Sequence, residues 1–241
     1  MSRLGWLCDE GHRTEAADAI AAVCALPGLE AEGIYTHFAN ADGDEAYTMG
    51  QFTRFLELLS ELEGRGITFP IRHCAASAAV LKYPCTHLDM VRPGVALYGH
   101  YPDPSCEGLD GVGLRPVMAL KTRVASVKAV PAGTPVSYGC THVLERDAEL
   151  AALTVGYADG LPRLCSDQLE VLIRGQRAPI VGRVCMDMCM ADATGLGAAP
   201  GDEVELFGEH LPVEDAAALA GTIQYELLCA VSPRVPREYL N

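Results

Sequence analysis

Between Asp44 and Gly64 the apolar residues Met49, Phe52, Phe55, Leu56, Leu59 and Leu62 recur at three- and four-residue spacing, and Gly64 and Gly66 follow. That pattern predicts a helix with one apolar face and a glycine stop. Shorter apolar runs surround it. Leu29 to Ala39, ending in Thr36-His37-Phe38-Ala39-Asn40, reads as a strand, as do Ile71-Arg72-His73-Cys74-Ala75 and Met90-Val91. Thr14 to Leu26 reads as an alanine-rich helix capped by Thr14, and Ser77 to Leu81 opens a short helix directly after the second strand. Strands alternating with helices predict a parallel α/β unit.

Beyond about residue 112 the pattern changes character. Pro116 to Val130 alternates β-branched and polar residues, Val136-Ser137-Tyr138-Gly139 lies in or beside a turn, and Leu150 to Val155 and Val171-Leu172-Ile173 read as further strands. One late helix is predicted over Val213 to Leu228. The expectation is a β-rich second domain, with the boundary in the Pro-, Asp- and Gly-containing segment from Tyr101 to Gly113, dividing the chain into 1–110 and 111–241.

Three or four βα units fill the first domain, whereas a closed (β/α)8 barrel takes roughly 250 residues. The first domain is therefore either a small open α/β unit or the second half of a barrel. Arg3-Leu4-Gly5-Trp6 follows Met1 with no strand before it, which favours the half barrel. Such a half barrel exposes an inner face and two strand edges.

Composition narrows the function. The 49% hydrophobic content supports a sizeable core, and a net charge of −14 argues against nucleic acid or an anionic membrane as partner. No apolar run reaches the roughly 18 residues of a membrane span, and the start has no signal-peptide pattern. The ten cysteines are scattered without paired spacing, which fits reduced thiols in a cytoplasmic protein. Cys185 and Cys189 lack a second pair or nearby His, so zinc is not expected; His12, His87, His100, His142 and His210 show no partners in the sequence.

The acidic balance leaves anion binding to a local site, and one stretch offers it. Val91-Arg92-Pro93-Gly94-Val95-Ala96-Leu97-Tyr98-Gly99 ends a strand with a cation, a proline that cannot donate to a ladder, and a glycine turn. Free N–H groups at Gly94 and Val95 beside Arg92 would make a phosphate site at a strand's carboxyl end. A plain structural turn, with Arg92 paired to Asp89, is the alternative.

Blocks along the whole chain carry a resemblance. They are Met1-Ser2-Arg3-Leu4-Gly5, Thr36-His37-Phe38-Ala39, His73-Cys74-Ala75-Ala76-Ser77-Ala78-Ala79, the Arg92 to Gly99 stretch, Val136-Ser137-Tyr138-Gly139 and Val155-Gly156-Tyr157-Ala158-Asp159-Gly160. Gly182-Arg183-Val184-Cys185-Met186-Asp187, Tyr225-Glu226 and Arg234-Val235-Pro236-Arg237-Glu238-Tyr239 complete the set. In this the chain resembles the bacterial alanine racemases, fold-type III pyridoxal-phosphate enzymes built from a barrel followed by a β-domain.

The resemblance implies a fold, a reaction and a site. The fold is the C-terminal half of a (β/α)8 TIM-type barrel followed by a β-rich domain. The reaction is cytoplasmic interconversion of L- and D-alanine for peptidoglycan, by proton removal at Cα and return to the opposite face. The family's Schiff-base lysine lies on the first barrel strand, in a portion that has no counterpart here, so a truncated or split protein is expected. Tyr138 would be the other base, reaching into the site of a partner subunit of a homodimer. His37 and Arg92 are its candidate neighbours, and Arg92 would face the cofactor's pyridine nitrogen. Ser77, Gly94, Val95 and Tyr225 would hold the phosphate. Arg3 would lie near the cofactor and the substrate carboxylate, Met186 would offer its backbone N–H to that carboxylate, and Tyr157 would line the access route. Ala76 departs from the family's usual Asn. Two other functions compete: serine racemisation of the glycopeptide-resistance type, which the bulk of Tyr225 disfavours, and a non-catalytic fragment that supplies Tyr138 in trans.

Overall fold

The computed structural model describes residues 1–111 and 113–240. Val112, within the predicted boundary segment, lies outside them. The chain divides into two compact units, Met1–Arg115 and Pro116–Asn241.

In the first unit the strands β1 (Gly33–Tyr35), β2 (Ile71–Ala76) and β3 (Met90–Arg92) form a parallel sheet in the order β1-β2-β3. Helix α2 (Glu45–Gly64) follows the sequence closely. The Asp44 carboxylate caps it by accepting from the Tyr47 N–H at 2.9 Å. At the other end Ile67 N–H bonds to Leu62 C=O and Gly66 N–H to Glu63 C=O around a left-handed Gly66, the glycine-terminated motif. The buried stripe differs at two places: Leu56 is exposed with Leu58 buried instead, and Met49 is only half-buried while Thr48 before it is fully buried. The reason is that α2 serves two cores. Phe52, Phe55 and Leu59 pack with Phe38, Cys74, Ala75 and Ala79 toward the sheet, while Leu58 and Leu62 turn to Ala16, Ala17 and Ile20 of α1 (Arg13–Cys24).

Two predicted boundaries move. Helix α1 is preceded by His12, and Thr14 lies inside it; the Asp9 carboxylate organises this start by accepting from the Gly11 and His12 N–H groups, both at 3.1 Å. The first strand is confined to three residues of the predicted eleven, because β1 is an edge whose ladder pairs only Gly33–Tyr35 with Ile71–His73 of β2. Helix α3 (Ser77–Lys82) starts where β2 ends. The sheet does not close among the described residues, so β1 and β3 both remain edges, as a barrel sector would leave them.

The second unit is built on a six-stranded antiparallel sheet. In chain order its strands are β4 (Leu120–Val130), β7 (Ala148–Leu153), β8 (Glu170–Ile173), β9 (Gln176–Pro179), β10 (Cys189–Asp192) and β11 (Glu203–Phe207), and their spatial order is β10-β7-β4-β11-β8-β9. A small hairpin, β5 (Pro135–Val136) with β6 (His142–Val143), stands beside it. The predicted late helix is two helices, α4 (Val213–Leu219) and α5 (Gln224–Ala230). Gly221, at φ 66°, ends α4, with Thr222 N–H bonded to Ala217 C=O and Gly221 N–H to Ala218 C=O. No helix among the described residues is long and apolar enough to cross a membrane.

Candidate functional site

Parallel register builds the first half of the site. Tyr35 pairs with His73, and Ala76 pairs with Arg92, so the carboxyl ends of all three strands bring Tyr35, His73 and Arg92 together. The Arg92 guanidinium is held on every side: Nη1 bonds the His73 Nδ1, Nη2 reaches the Thr36 carbonyl and His37 Nδ1, each at 3.2 Å, and Cζ lies 5.2 Å from the Tyr35 ring centroid. Tyr35 in turn stacks on His73 at 5.1 Å.

Arginine can only donate, so each histidine must present a bare Nδ1 and carry its proton on Nε2. Both imidazoles are held neutral. Burial lowers the His37 pKa first, then the charges of Arg92, Arg3 and the chain's amino terminus; burial and then Arg92 lower that of His73. Among the described residues no carboxylate pairs with Arg92. Asp89, the alternative partner suggested by the sequence, is taken by Arg72, which offers it Nε at 2.7 Å, Nη2 at 3.1 Å and its backbone N–H at 2.9 Å. These bonds bring the Asp89 pKa down to about 2.

Beside Arg92 the hydroxyl of Ser77 is buried and accepts from the Gly94 N–H at 2.8 Å and the Ala96 N–H at 3.3 Å. The expected free N–H at Gly94 is thus engaged. The cause is the Ala76 to Arg92 pairing, which sets the segments after β2 and β3 side by side. The Ser77 hydroxyl proton meets no acceptor among the described residues, and an oxygen that takes two N–H groups is a strong donor outward. Arg3 is exposed, near enough to His37 for its charge to be felt there. The Val95 side chain is in the core.

In the second unit Tyr138 stands 71% exposed on the bend after β5, anchored by the buried Val136. The backbone around it is strained: Ser137 has φ 62° and ψ −170°, Gly139 φ 76° and Cys140 φ 50°. Ser137 Oγ donates to the Arg183 carbonyl at 2.7 Å. Gly182 makes this approach feasible, since a Cβ there would lie 2.7 Å from the Val136 carbonyl oxygen. The Arg183 guanidinium occupies the space beside Gly139, where a Cβ would lie 2.7 Å from Nη1.

Tyr157 and Met186 sit on two bends tied together by Tyr157 N–H to Cys185 C=O at 3.0 Å and Ala158 N–H to Met186 C=O at 2.9 Å. Both side chains are exposed. Tyr225 lies in the first turn of α5.

The structure therefore joins Arg92, His37 and Ser77 in one unit and links the Tyr138, Tyr157 and Met186 bends through residues 183–186 in the other. Sequence reasoning gave no role to Tyr35, His73 or Arg183. Tyr35 and His73 each sit on a predicted strand, and a parallel register would have paired them. Four histidines without partners in sequence have them in space: His12 with Asp9, His142 with Asp167, His210 with Glu205 and His87 with the Val80 carbonyl. All ten cysteines are free, with Cys74 and Cys165 pushed by burial to about 11. No cluster of three His, Cys, Asp or Glu able to hold a metal occurs among the described residues.

Comparison with known proteins covers both units. Residues 1–102 match the family model for the alanine racemase N-terminal domain, and residues 117–239 match the model for the alanine racemase C-terminal domain. An alanine racemase of Desulforamulus reducens is 50% identical over 100% of this chain and 65% of its own length. One of Methanococcus maripaludis is 45% identical over 100% of the chain and 65% of its own. The chain thus spans just under two thirds of the length of these relatives. Among solved structures, alanine racemase of Bacillus anthracis with bound L-Ala-P superposes with a TM-score of 0.92 at 36% identity, over 100% of this chain and 62% of that one. Alanine racemase from a D-cycloserine-producing Streptomyces lavendulae gives 0.90 at 37%, over 100% and 64%.

Proposed function

The chain belongs to the alanine racemase family, and from that premise we propose that it takes part in interconverting L- and D-alanine with pyridoxal 5'-phosphate as cofactor, together with the Schiff-base lysine that the resemblance implies and that no lysine here matches. The residues present fit that group. Ser77 presents a buried hydroxyl whose proton is unclaimed among the described residues, and Arg92 beside it is a cation without a carboxylate. Ser77, with the backbone at Val95, would hold the phosphate, and Arg92 would face the pyridine nitrogen. When bound, the cofactor supplies an electron sink for the charge left at the substrate's Cα.

The chain's own residues then do specific work. Arg92 cannot surrender its proton, and neutral His73 and His37 add none, so a pyridine nitrogen held against it would stay unprotonated. This moderates the sink and disfavours side reactions such as transamination. Tyr138 would be the base on one face, its Oη taking or returning the Cα proton. Its exposure suits a side chain that completes the site of a second subunit in a homodimer. Met186 would orient the substrate carboxylate through its N–H, with Arg3 adding charge, and Tyr157 would line the access route. The bulk of Tyr225 favours alanine over serine.

The observation that carries this reading is the cradle of Arg92, made entirely of neutral groups. Chiral separation of alanine and serine after incubation with pyridoxal phosphate and the protein, assayed together with the lysine-bearing portion of the family barrel, tests it. Alanine approaching equal enantiomers, with serine much slower, is expected. Unchanged L-alanine in the presence of bound cofactor would overturn it.

A further inference from the structure

The bend from Gly156 to Gly160 is gripped from two sides. A Cβ at Gly156 would lie 2.3 Å from the Cys185 carbonyl oxygen, and one at Gly160 would lie 2.8 Å from the Ala230 carbonyl oxygen and the Val231 Cα. Glycine is thus required at both ends by close backbone approach. Between them the carboxyl-bearing Asp159 is only 8% exposed. Burying a carboxylate is costly unless its oxygens are occupied, and here both are.

One oxygen, Oδ2, accepts from the Gly156 N–H at 2.9 Å, closing the bend on itself. The other, Oδ1, lies 3.0 Å from Arg234 Nε. The backbone adds to this: Asp159 N–H and Leu161 N–H donate to Gly156 C=O at 3.0 and 3.2 Å, and Ser232 N–H donates to Asp159 C=O at 3.2 Å. The segment carrying Arg234 is itself held by Arg237, whose Nη2 donates to the Val231 carbonyl at 2.9 Å and whose Nη1 reaches those of Ser232 and Val235.

We propose that Asp159 is a positioning residue, anchored by Arg234, that fixes the bend carrying Tyr157 and, through it, the bend carrying Met186. The coupling is direct. The N–H groups of Tyr157 and Ala158, on the bend that Asp159 closes, donate to the carbonyls of Cys185 and Met186. Tyr157 and Met186 are both about half exposed, so neither is fixed by burial in the core and their placement leans on these backbone bonds. That they face the substrate rests on the racemase reading; the clamp itself does not.

Amide hydrogen exchange on the full chain tests it, read peptide by peptide. Asp159→Ala and Arg234→Gln should each speed exchange at Tyr157 and Ala158 roughly tenfold, the effect of losing a charge-assisted hydrogen bond, while β4 and β7 keep their protection. Arg234→Lys, which keeps the charge, should restore part of it. Should Asp159→Ala fail to fold, Arg234→Gln, on the exposed side of the pair, still decides. No acceleration at Tyr157 and Ala158, or equal acceleration across β4 and β7, overturns the proposal. Alanine turnover separates it from the racemase reading. In an active protein Arg234→Gln should raise KM for alanine and leave kcat unchanged. An unsubstituted protein that, with the lysine-bearing portion present, does not turn alanine over refutes that reading and leaves the exchange result to decide the clamp.

Discussion

The Ser77 hydroxyl oxygen lies 2.8 Å from the Gly94 amide nitrogen, so the segments following two neighbouring strands share one buried oxygen. Ser77→Ala removes both the organiser of that junction and the proton offered to a phosphate. The expected losses are about 0.5–1.5 kcal/mol of stability and roughly tenfold in affinity for pyridoxal phosphate. Affinity for pyridoxal, which lacks the phosphate, should stay the same. Titrating both compounds against the variant checks this, and an equal loss for the two would remove Ser77 from the phosphate site.

The imidazoles of His37 and His73 make the first unit sensitive to acid. Their folded pKa values lie below the ordinary 6.5, so the unfolded chain binds more protons as pH falls below that value. Their stability contribution is therefore complete above about pH 6.5 and is lost as pH drops through the lowered folded values. His12 acts in the opposite sense. Its bond to Asp9 raises its pKa, so its contribution is present at low pH and lost as pH rises. Urea midpoints at pH 7.5 and 5.5 should fall on acidification, and less so in a His37→Gln, His73→Gln double variant. An unchanged pH slope in that variant would contradict the neutral-histidine cradle. Replacing Arg92 by Leu should raise both histidine pKa values, measurable by NMR titration.

Much of this site was legible in the sequence. The Arg-Pro-Gly strand end, the serine opening a helix after Ala76 and the glycine-stopped α2 all follow from local chemistry. The partners of Arg92 did not, because they depend on which strands lie side by side and in what register. Tyr35 meets His73 only through the β1–β2 pairing, 38 positions apart in a ladder the sequence does not display. The engagement of Gly94 by Ser77 was missed for the same reason. The break in the late helix was available locally, since Gly221 interrupts it.

Ser137 holds φ 62° to aim Tyr138, a conformation costing of order 1–3 kcal/mol in a residue with a side chain. Ser137→Gly relieves that strain and gives up the hydroxyl bond to Arg183, worth about 1 kcal/mol. Stability should be unchanged or slightly higher, while racemisation slows because the bend is no longer constrained. A thermal unfolding scan showing strong destabilisation would contradict the strain assignment.

Two glycines should respond oppositely to alanine. Gly64 is helical with open space around its Cα, so Gly64→Ala should stabilise by about 0.5–1 kcal/mol. Gly156→Ala would drive a Cβ to 2.3 Å from a backbone carbonyl and should destabilise by roughly 3 kcal/mol, or prevent folding. Denaturant midpoints for the pair check whether the Gly156 bend is as tightly held as its geometry indicates.

The central claim is that Tyr138 is one of two bases acting on opposite faces of the substrate. The most direct measurement is Cα-deuterium incorporation in D2O, starting separately from L- and D-alanine, for the unsubstituted protein and Tyr138→Phe. The unsubstituted protein should deliver each enantiomer's mirror image carrying solvent deuterium. Tyr138→Phe, in a protein that also carries the family's Schiff-base lysine, should lose interconversion by a factor of about 100 or more, yet still exchange the Cα hydrogen of one enantiomer through that lysine. Racemisation by Tyr138→Phe at the unsubstituted rate would contradict the account.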